Sequence, residues 1–294
     1  MAHEWFGELR SLIQPPGTEG KWLEICTLLA QPDVEIERVQ WWDYVAEHLD
    51  RHWSAAALPV PEAWLDRLWR GLPLPAVAGL CATLDVSHRS VTDRQARLIA
   101  MCAQLANLTA LDLSMNELGP DGARVIASSP HLRQVRTLSI ARNRLELSAL
   151  KMLLGMWRLS GVRAMDLSGN PFGDDGARLL AGSPVLAQLD ELDLSSCRIG
   201  DDGALALARA ARGQERLRKL SLGWNTFGEG ALRVLETLPC EVDLRGNATD
   251  APMVATPDAQ SVARRQGEAD SLRSMLQGHF GGEPGEEDYD EVME

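Results

Sequence analysis

A short pattern returns along the middle of the chain at a nearly fixed interval, and it constrains the fold more than any other feature. Leu111-Asp-Leu-Ser-Met-Asn116 comes back as Leu138-Ser-Ile-Ala-Arg-Asn143, as Met165-Asp-Leu-Ser-Gly-Asn170 and as Leu192-Asp-Leu-Ser-Ser-Cys197. Leu220-Ser-Leu-Gly-Trp-Asn225 and Val242-Asp-Leu-Arg-Gly-Asn247 follow, and a weaker copy, Leu84-Asp-Val-Ser-His-Arg89, precedes them. The closing positions 89, 116, 143, 170, 197, 225 and 247 are separated by 27, 27, 27, 27, 28 and 22 residues. A period of this size marks units that cannot bury an apolar face alone and must stack.

Each copy opens with alternating apolar residues, such as Leu111 and Leu113, which turn one face of a strand inward. The asparagine that closes it can bond backbone groups of neighbouring coils. Cys197 can fill that role in part and Arg89 cannot, so the first coil is expected to be irregular. Glycine pairs with acids between them follow, as in Gly119-Pro-Asp-Gly122, Gly173-Asp-Asp-Gly176 and Gly200-Asp-Asp-Gly203. The acids suit helix starts, and apolar residues at helical spacing, such as Ala177, Leu180 and Ala181, come next. One strand plus one helix per repeat defines an α/β solenoid: a curved parallel sheet with helices on its convex side.

The pattern resembles the leucine-rich repeat, in particular its ribonuclease-inhibitor-like subtype, over roughly residues 83–247. It is clearest in residues 108–135 and 162–230 and weakest at 144–160, where Leu145-Glu-Leu-Ser-Ala-Leu150 lacks the glycine pair. The reading divides the chain into a tryptophan-rich helical N-terminal cap or domain (1–80), the solenoid (81–250, about six repeats and a terminal strand), a linker with a short helix (251–280) and an acidic tail expected to be disordered (281–294).

Seven of the nine tryptophans lie within the first 69 residues, a composition shift that sets this unit apart. Four helices are expected there: one striped by Trp5, Leu9 and Leu12; one by Trp22, Ile25 and Leu29; one opening at Pro32 with Ile36, Val39, Trp42 and Val45 on a face; and one from Pro61 to Gly71. At the other end, residues 281–294 hold seven acids and no base. They supply seven of the 13 net negative charges and leave about six for the rest of the chain.

Charge and motif content exclude several classes. A net charge of −13 argues against a general nucleic-acid binder. No apolar run suits a membrane span, and Met1–Arg10 does not read as a signal peptide. Five scattered cysteines without a CxxC pair suit a reducing compartment and a cytoplasmic location. His48 and His52 stand one helical turn apart without a third ligand, so no metal is assigned. No phosphate loop, dinucleotide turn or nucleophile elbow is present. No cofactor and no catalytic residues are expected.

What remains is the concave strand face. Its first column runs Asp85, Asp112, Ser139, Asp166, Asp193, Ser221 and Asp243, about one strand spacing (~5 Å) apart. A further column runs His88, Met115, Arg142, Gly169, Ser196, Trp224 and Gly246. The expected function is a non-enzymatic scaffold that binds a protein partner, with a basic surface, on this face. The expected contact residues are Trp224, Arg142, Met115, Asp112, Asp166, Asp193, Arg245 and His88, because tryptophan and arginine dominate binding hot spots. Two alternatives stand beside it. The resemblance extends to an activating protein of a small GTPase, although its functional residues have no motif counterpart here. Leu58-Pro-Val-Pro-Glu-Ala-Trp-Leu-Asp-Arg-Leu-Trp69 faintly resembles an F-box, which implies an adaptor or effector.

Overall fold

The computed structural model describes residues 2–14, 18–29, 44–45, 48, 58–155 and 158–247. Seven three-residue strands form one parallel sheet in chain order: β1 (Thr83–Asp85), β2 (Ala110–Asp112), β3 (Thr137–Ser139), β4 (Ala164–Asp166), β5 (Glu191–Asp193), β6 (Lys219–Ser221) and β7 (Glu241–Asp243). The register is the repeat period itself, with Leu84, Leu111, Leu138, Met165, Leu192, Leu220 and Val242 aligned across the sheet. The coils are numbered below by their strands. The chain is therefore the α/β solenoid expected from its repeat.

Helices α1 (Ala2–Ile13), α2 (Glu19–Leu29) and α3 (Leu65–Trp69) precede the sheet, α3 after a short 3-10 turn at Glu62–Trp64. The expected third helix of the first 60 residues lies largely outside the described residues. Between the strands run α4 (Asp93–Met101), α5 (Pro120–Ala127), α6 (Leu147–Gly155), α7 (Gly173–Ala181), α8 (Asp201–Ala211) and α9 (Glu229–Leu235). Coil 3, which lacks the glycine pair, still builds α6 because Leu145, Ala149, Leu150 and Leu153 carry the apolar face into the core. Trp22 is fully buried, donates from Nε1 to Pro59 O at 2.8 Å and meets Trp64 edge-on at 6.1 Å. Pro59 in turn bridges Thr83 in parallel, so this segment lies against the outer edge of β1.

The coils are tied together by their asparagines. Asn170 Oδ1 accepts from Asn143 N–H and Leu145 N–H of the preceding coil, both at 3.0 Å. Its Nδ2 donates to Ile140 O at 3.0 Å and to Leu167 O at 2.9 Å. Asn116 and Asn225 repeat this scheme, and Asn247 carries it to the last coil. Cys197 fills the role in part: its Sγ reaches Leu167 O at 3.4 Å and receives Asn170 N–H, but it offers no acceptor to Phe172 N–H. Deprived of an acceptor there, Phe172 N–H turns to Asn170 O at 2.8 Å, and α7 begins at Gly173 with φ +62°. At the other exception, Arg89 points outward and pairs with Glu62 while β1 keeps its regular pairing. The irregularity expected of the first coil is thus confined to its turn.

The acids at the helix starts do cap, but they cap the following coil. Asp93 Oδ1 accepts from Gly119 N–H at 2.7 Å, Asp174 Oδ1 from Gly200 at 2.6 Å, and Asp201 Oδ1 from Gly228 at 2.8 Å. A Cβ at Gly122 or Gly203 would sit 2.3 or 2.6 Å from the same carboxylate oxygen, so the second glycine of the pair makes room for the neighbour's cap.

Removing the Asn170 amide strands two buried N–H groups and two buried carbonyls, at about 1–3 kcal/mol each before relaxation. Asn170→Ala is therefore expected to lower unfolding free energy by about 3 kcal/mol or more in a urea titration. Cys197→Asn, which restores the missing acceptor, is expected to raise it by about 1 kcal/mol.

Candidate functional site

The sheet carries the acidic column on its concave face, and the structure corrects the expectation of an open acidic strip. Asp112 and Asp166 are each only 8% exposed. Asp193 and Asp243 are half-buried and Asp85 alone is exposed. Each carboxylate first serves its own turn. Oδ1 of Asp85, Asp112, Asp166 and Asp193 accepts the N–H two residues on, at 2.8, 2.8, 2.9 and 2.7 Å. These are Asx turns, which end the strand after three residues. Ser139 Oγ also donates to Asp166 Oδ2 at 3.2 Å.

Burial and neighbouring charge act together on this column. Desolvation, reinforced by the Asp85 charge, pushes the Asp112 carboxyl up to about 7. Desolvation and the Asp193 carboxylate push Asp166 up to about 7. Asp193 is also raised, mainly by burial. Asp243 moves the other way because the Arg245 guanidinium binds it, at 2.9 Å from Nε and 2.6 Å from Nη2. Two of the expected acidic contacts are therefore largely turned into the fold near neutral pH, and Arg245 is engaged with its own coil.

The column that ends in the asparagine has different geometry. His88, Met115, Arg142, Ser196 and Trp224 all have φ between 51° and 58°, and the glycines at the equivalent places have φ +68° (Gly169) and +72° (Gly246). This is the left-handed region, costly for side chains other than glycine and asparagine. Backbone held there with a bulky side chain is a pointer to function. Arg142 and His88 are exposed, while Met115 and Trp224 are half-buried. The side chains lie along the stack onto the next coil: a Cβ at Gly169 would be 2.6 Å from Arg142 Cγ, and one at Gly246 2.5 Å from Trp224 Cδ2.

This geometry brings His88, Met115 and Arg142 together on coils 1–3. Trp224 and Arg245 stand on coils 6 and 7, about 14 and 19 Å from Arg142 at three and four strand spacings. Gly169 and Ser196 leave a low saddle between the two groups. Met115 and Arg142 line an open depression of about 670 Å³ with Glu117 and Arg144. Sequence reasoning missed Arg144, the exposed left-handed residue after Asn143; its two-residue offset from Arg142 was the available signal.

Two other segments have partners within the protein. Leu58, Trp64, Leu65 and Leu68 of the segment that resembles an F-box are buried in the protein's own core. His48 Nδ1 donates to Tyr44 O, 2.8 Å away, and the ring stacks on that of Tyr44; His52 lies outside the described residues. Among the described residues no cluster of His, Cys, Asp or Glu is arranged to hold a metal ion. No helix among them is long and apolar enough to cross a membrane.

Fold and surface together define a leucine-rich-repeat solenoid. The family model described as "Leucine Rich repeat" matches residues 104–127, 162–181 and 189–208, in coils 2, 4 and 5. No curated protein matches the chain in sequence. Among solved structures, the chain is similar to yeast Rad7, solved in complex with Elc1, at 14% identity and a TM-score of 0.50, over 84% of this chain and 66% of that one. It is also similar to internalin C2 of Listeria monocytogenes, at 21% identity and a TM-score of 0.41, over 65% of this chain and 86% of that one.

The buried carboxylates make stability depend on pH with a defined sign. Asp112 and Asp166 titrate near 7 when folded, against about 3.9 in an unfolded chain. Between about pH 4 and 7 the native state thus holds protons that the unfolded state has released, and stability falls as pH rises. Asp166→Asn keeps an acceptor for Ser168 N–H and removes the charge. It is expected to raise the melting temperature at pH 8 and to flatten its decline between pH 5 and 8; an unchanged decline would mean the carboxylates are solvated.

Proposed function

We propose that this protein is a non-enzymatic scaffold that binds a protein partner along the concave face and its carboxyl-end rim. Its contacts centre on Arg142, Met115 and His88 at one end and Trp224 at the other. The observation that carries the reading is the placement of bulky side chains at left-handed positions where the same fold uses glycine in two other coils. Stability alone favours glycine there, so the bulky residues are better accounted for by recognition.

The repeats themselves support the ribonuclease-inhibitor-like subtype, through a 27-residue spacing and convex helices of 8 or 9 residues in the coils that keep it. Asp85 and Asp193 remain as the acidic contacts for a basic patch of the partner, with Asp112 and Asp166 contributing polarity more than charge. Residues 1–80 act as a cap on β1, since Leu58 and Val60 bond Thr83 at the sheet edge. The absence of a catalytic motif in the sequence supports binding without turnover, and the thiol content supports a reducing, cytoplasmic setting.

The test is affinity capture with the full chain, followed by titration of the captured partner. The double variant Arg142→Ala/Trp224→Ala is expected to weaken binding by at least about 2 kcal/mol, roughly 30-fold, as for hot-spot residues. The convex-face variant Arg209→Ala is expected to leave it unchanged. Equal affinities for the double variant and the parent would remove this face from the function.

A further inference from the structure

The net charge of −13 conceals a basic block. Residues 122–165 hold eight basic residues against one acid, Glu146, for a net charge of +7. Arg142 and Arg144 of this block lie on the carboxyl-end rim described above. Two others, Arg136 and Arg163, stand on the opposite rim immediately before β3 and β4, and Arg133 and Arg158 lie on the segments that lead into those strands.

Backbone pairing places Arg136 and Arg163 side by side. Arg163 N–H donates to Arg136 O at 2.8 Å, so the two residues are neighbours in register. Arg136 Nη1 reaches across to Gly161 O at 3.1 Å, and Arg163 Nη1 holds Ser160 O and Val162 O at 2.9 and 2.8 Å. Gly161 allows this closeness, since a Cβ there would stand 2.5 Å from Arg133 O and 2.8 Å from Val135 O. Arg133 and Arg158 are exposed. Among the described residues, none of the four is ion-paired with a carboxylate. The patch stops at its own coils: the residues in register on either side are Thr109 and Asp190.

Four guanidiniums on two adjacent coils repel unless an anion sits among them, and guanidinium forks favour carboxylates. Residues 283–294 carry seven acids and no base, equal in number to the block's excess of positive charge. Thirty-five residues lie between Asn247 and Glu283, enough at ~3.3 Å each to pass over the sheet and reach any coil. We infer that the amino-end arginine rim of coils 3 and 4 is the docking surface for this chain's own acidic segment, Glu283–Glu294. The inference is independent of the carboxyl-rim reading, because the two rims lie at opposite ends of the strands.

Zero-length carbodiimide coupling tests it on the full chain. Arg133→Lys and Arg158→Lys keep the charge, touch no side-chain partner and supply amines. Lys151, exposed on the convex helix α6, is the internal reference. The expected result is coupling of residues 283–294 to positions 133 and 158 at least about tenfold above Lys151 in low salt, with the excess lost near 0.5 M salt as screening sets in. Coupling no greater than at Lys151 would overturn the proposal. Mixing isotope-labelled and unlabelled chains separates the two sources of the segment. Couplings only between differently labelled chains would also overturn it, by assigning the rim to a second copy.

Discussion

The side-chain amide of one asparagine per coil is the interaction on which the rest of this structure depends. A three-residue strand offers little backbone pairing, and the turn behind it leaves N–H and C=O groups buried. Asn116, Asn170 and Asn225 each satisfy two donors of the coil before and carbonyls of both coils, as Asn170 does for Asn143, Leu145, Ile140 and Leu167, and Asn143 and Asn247 each take one donor. An unpaired buried polar group costs more than a made bond contributes. The ladder therefore enforces the period: a coil with a shifted asparagine would leave its neighbours unsatisfied. Cys197 shows the same rule by exception, since the donor survives and the missing acceptor redirects Phe172 N–H and moves the start of α7.

The ladder also shapes the candidate binding surface. To aim its side chain into the stack, each asparagine must be approached through a left-handed residue, and that residue's side chain is sent along the rim onto the next coil. Glycine fits without strain at Gly169 and Gly246, and it does a second thing there, leaving room for Arg142 and Trp224 of the preceding coils. A large side chain is therefore followed by an absent one at these two places for a geometric reason. The rim has two raised ends and a low middle because the residue types at this position are unevenly distributed along the stack.

Strand order, register and the asparagine role were legible because each depends on local pattern plus period. The capping acids were legible as caps and not as caps of the next coil, since a partner 26 residues away lies outside any local motif. The acidic column was read as exposed because alternation assigns it to the concave face. Alternation does not say that adjacent coils stand close enough to bury Asp112 and Asp166, or that their turns consume the carboxylate oxygens. The left-handed column was read by residue type alone, which found Trp224, Arg142, Met115 and His88 but gave no reason for their conformation. The amino-end arginines were missed because a chain-wide charge was used where a sliding sum was needed.

Charge in this chain is arranged by sector, and the sectors follow from the solenoid. In a compact globule, a block of 44 residues is dispersed over the surface and its charge is averaged with its neighbours. In a stack, residues near in sequence stay on adjacent coils, so the excess of arginine at 122–165 becomes a local field. The concave column meanwhile gives up much of its charge through burial. The strongest opposite fields left are then the arginine sector and the acidic residues 283–294, and at low ionic strength their attraction acts over about 10 Å or more.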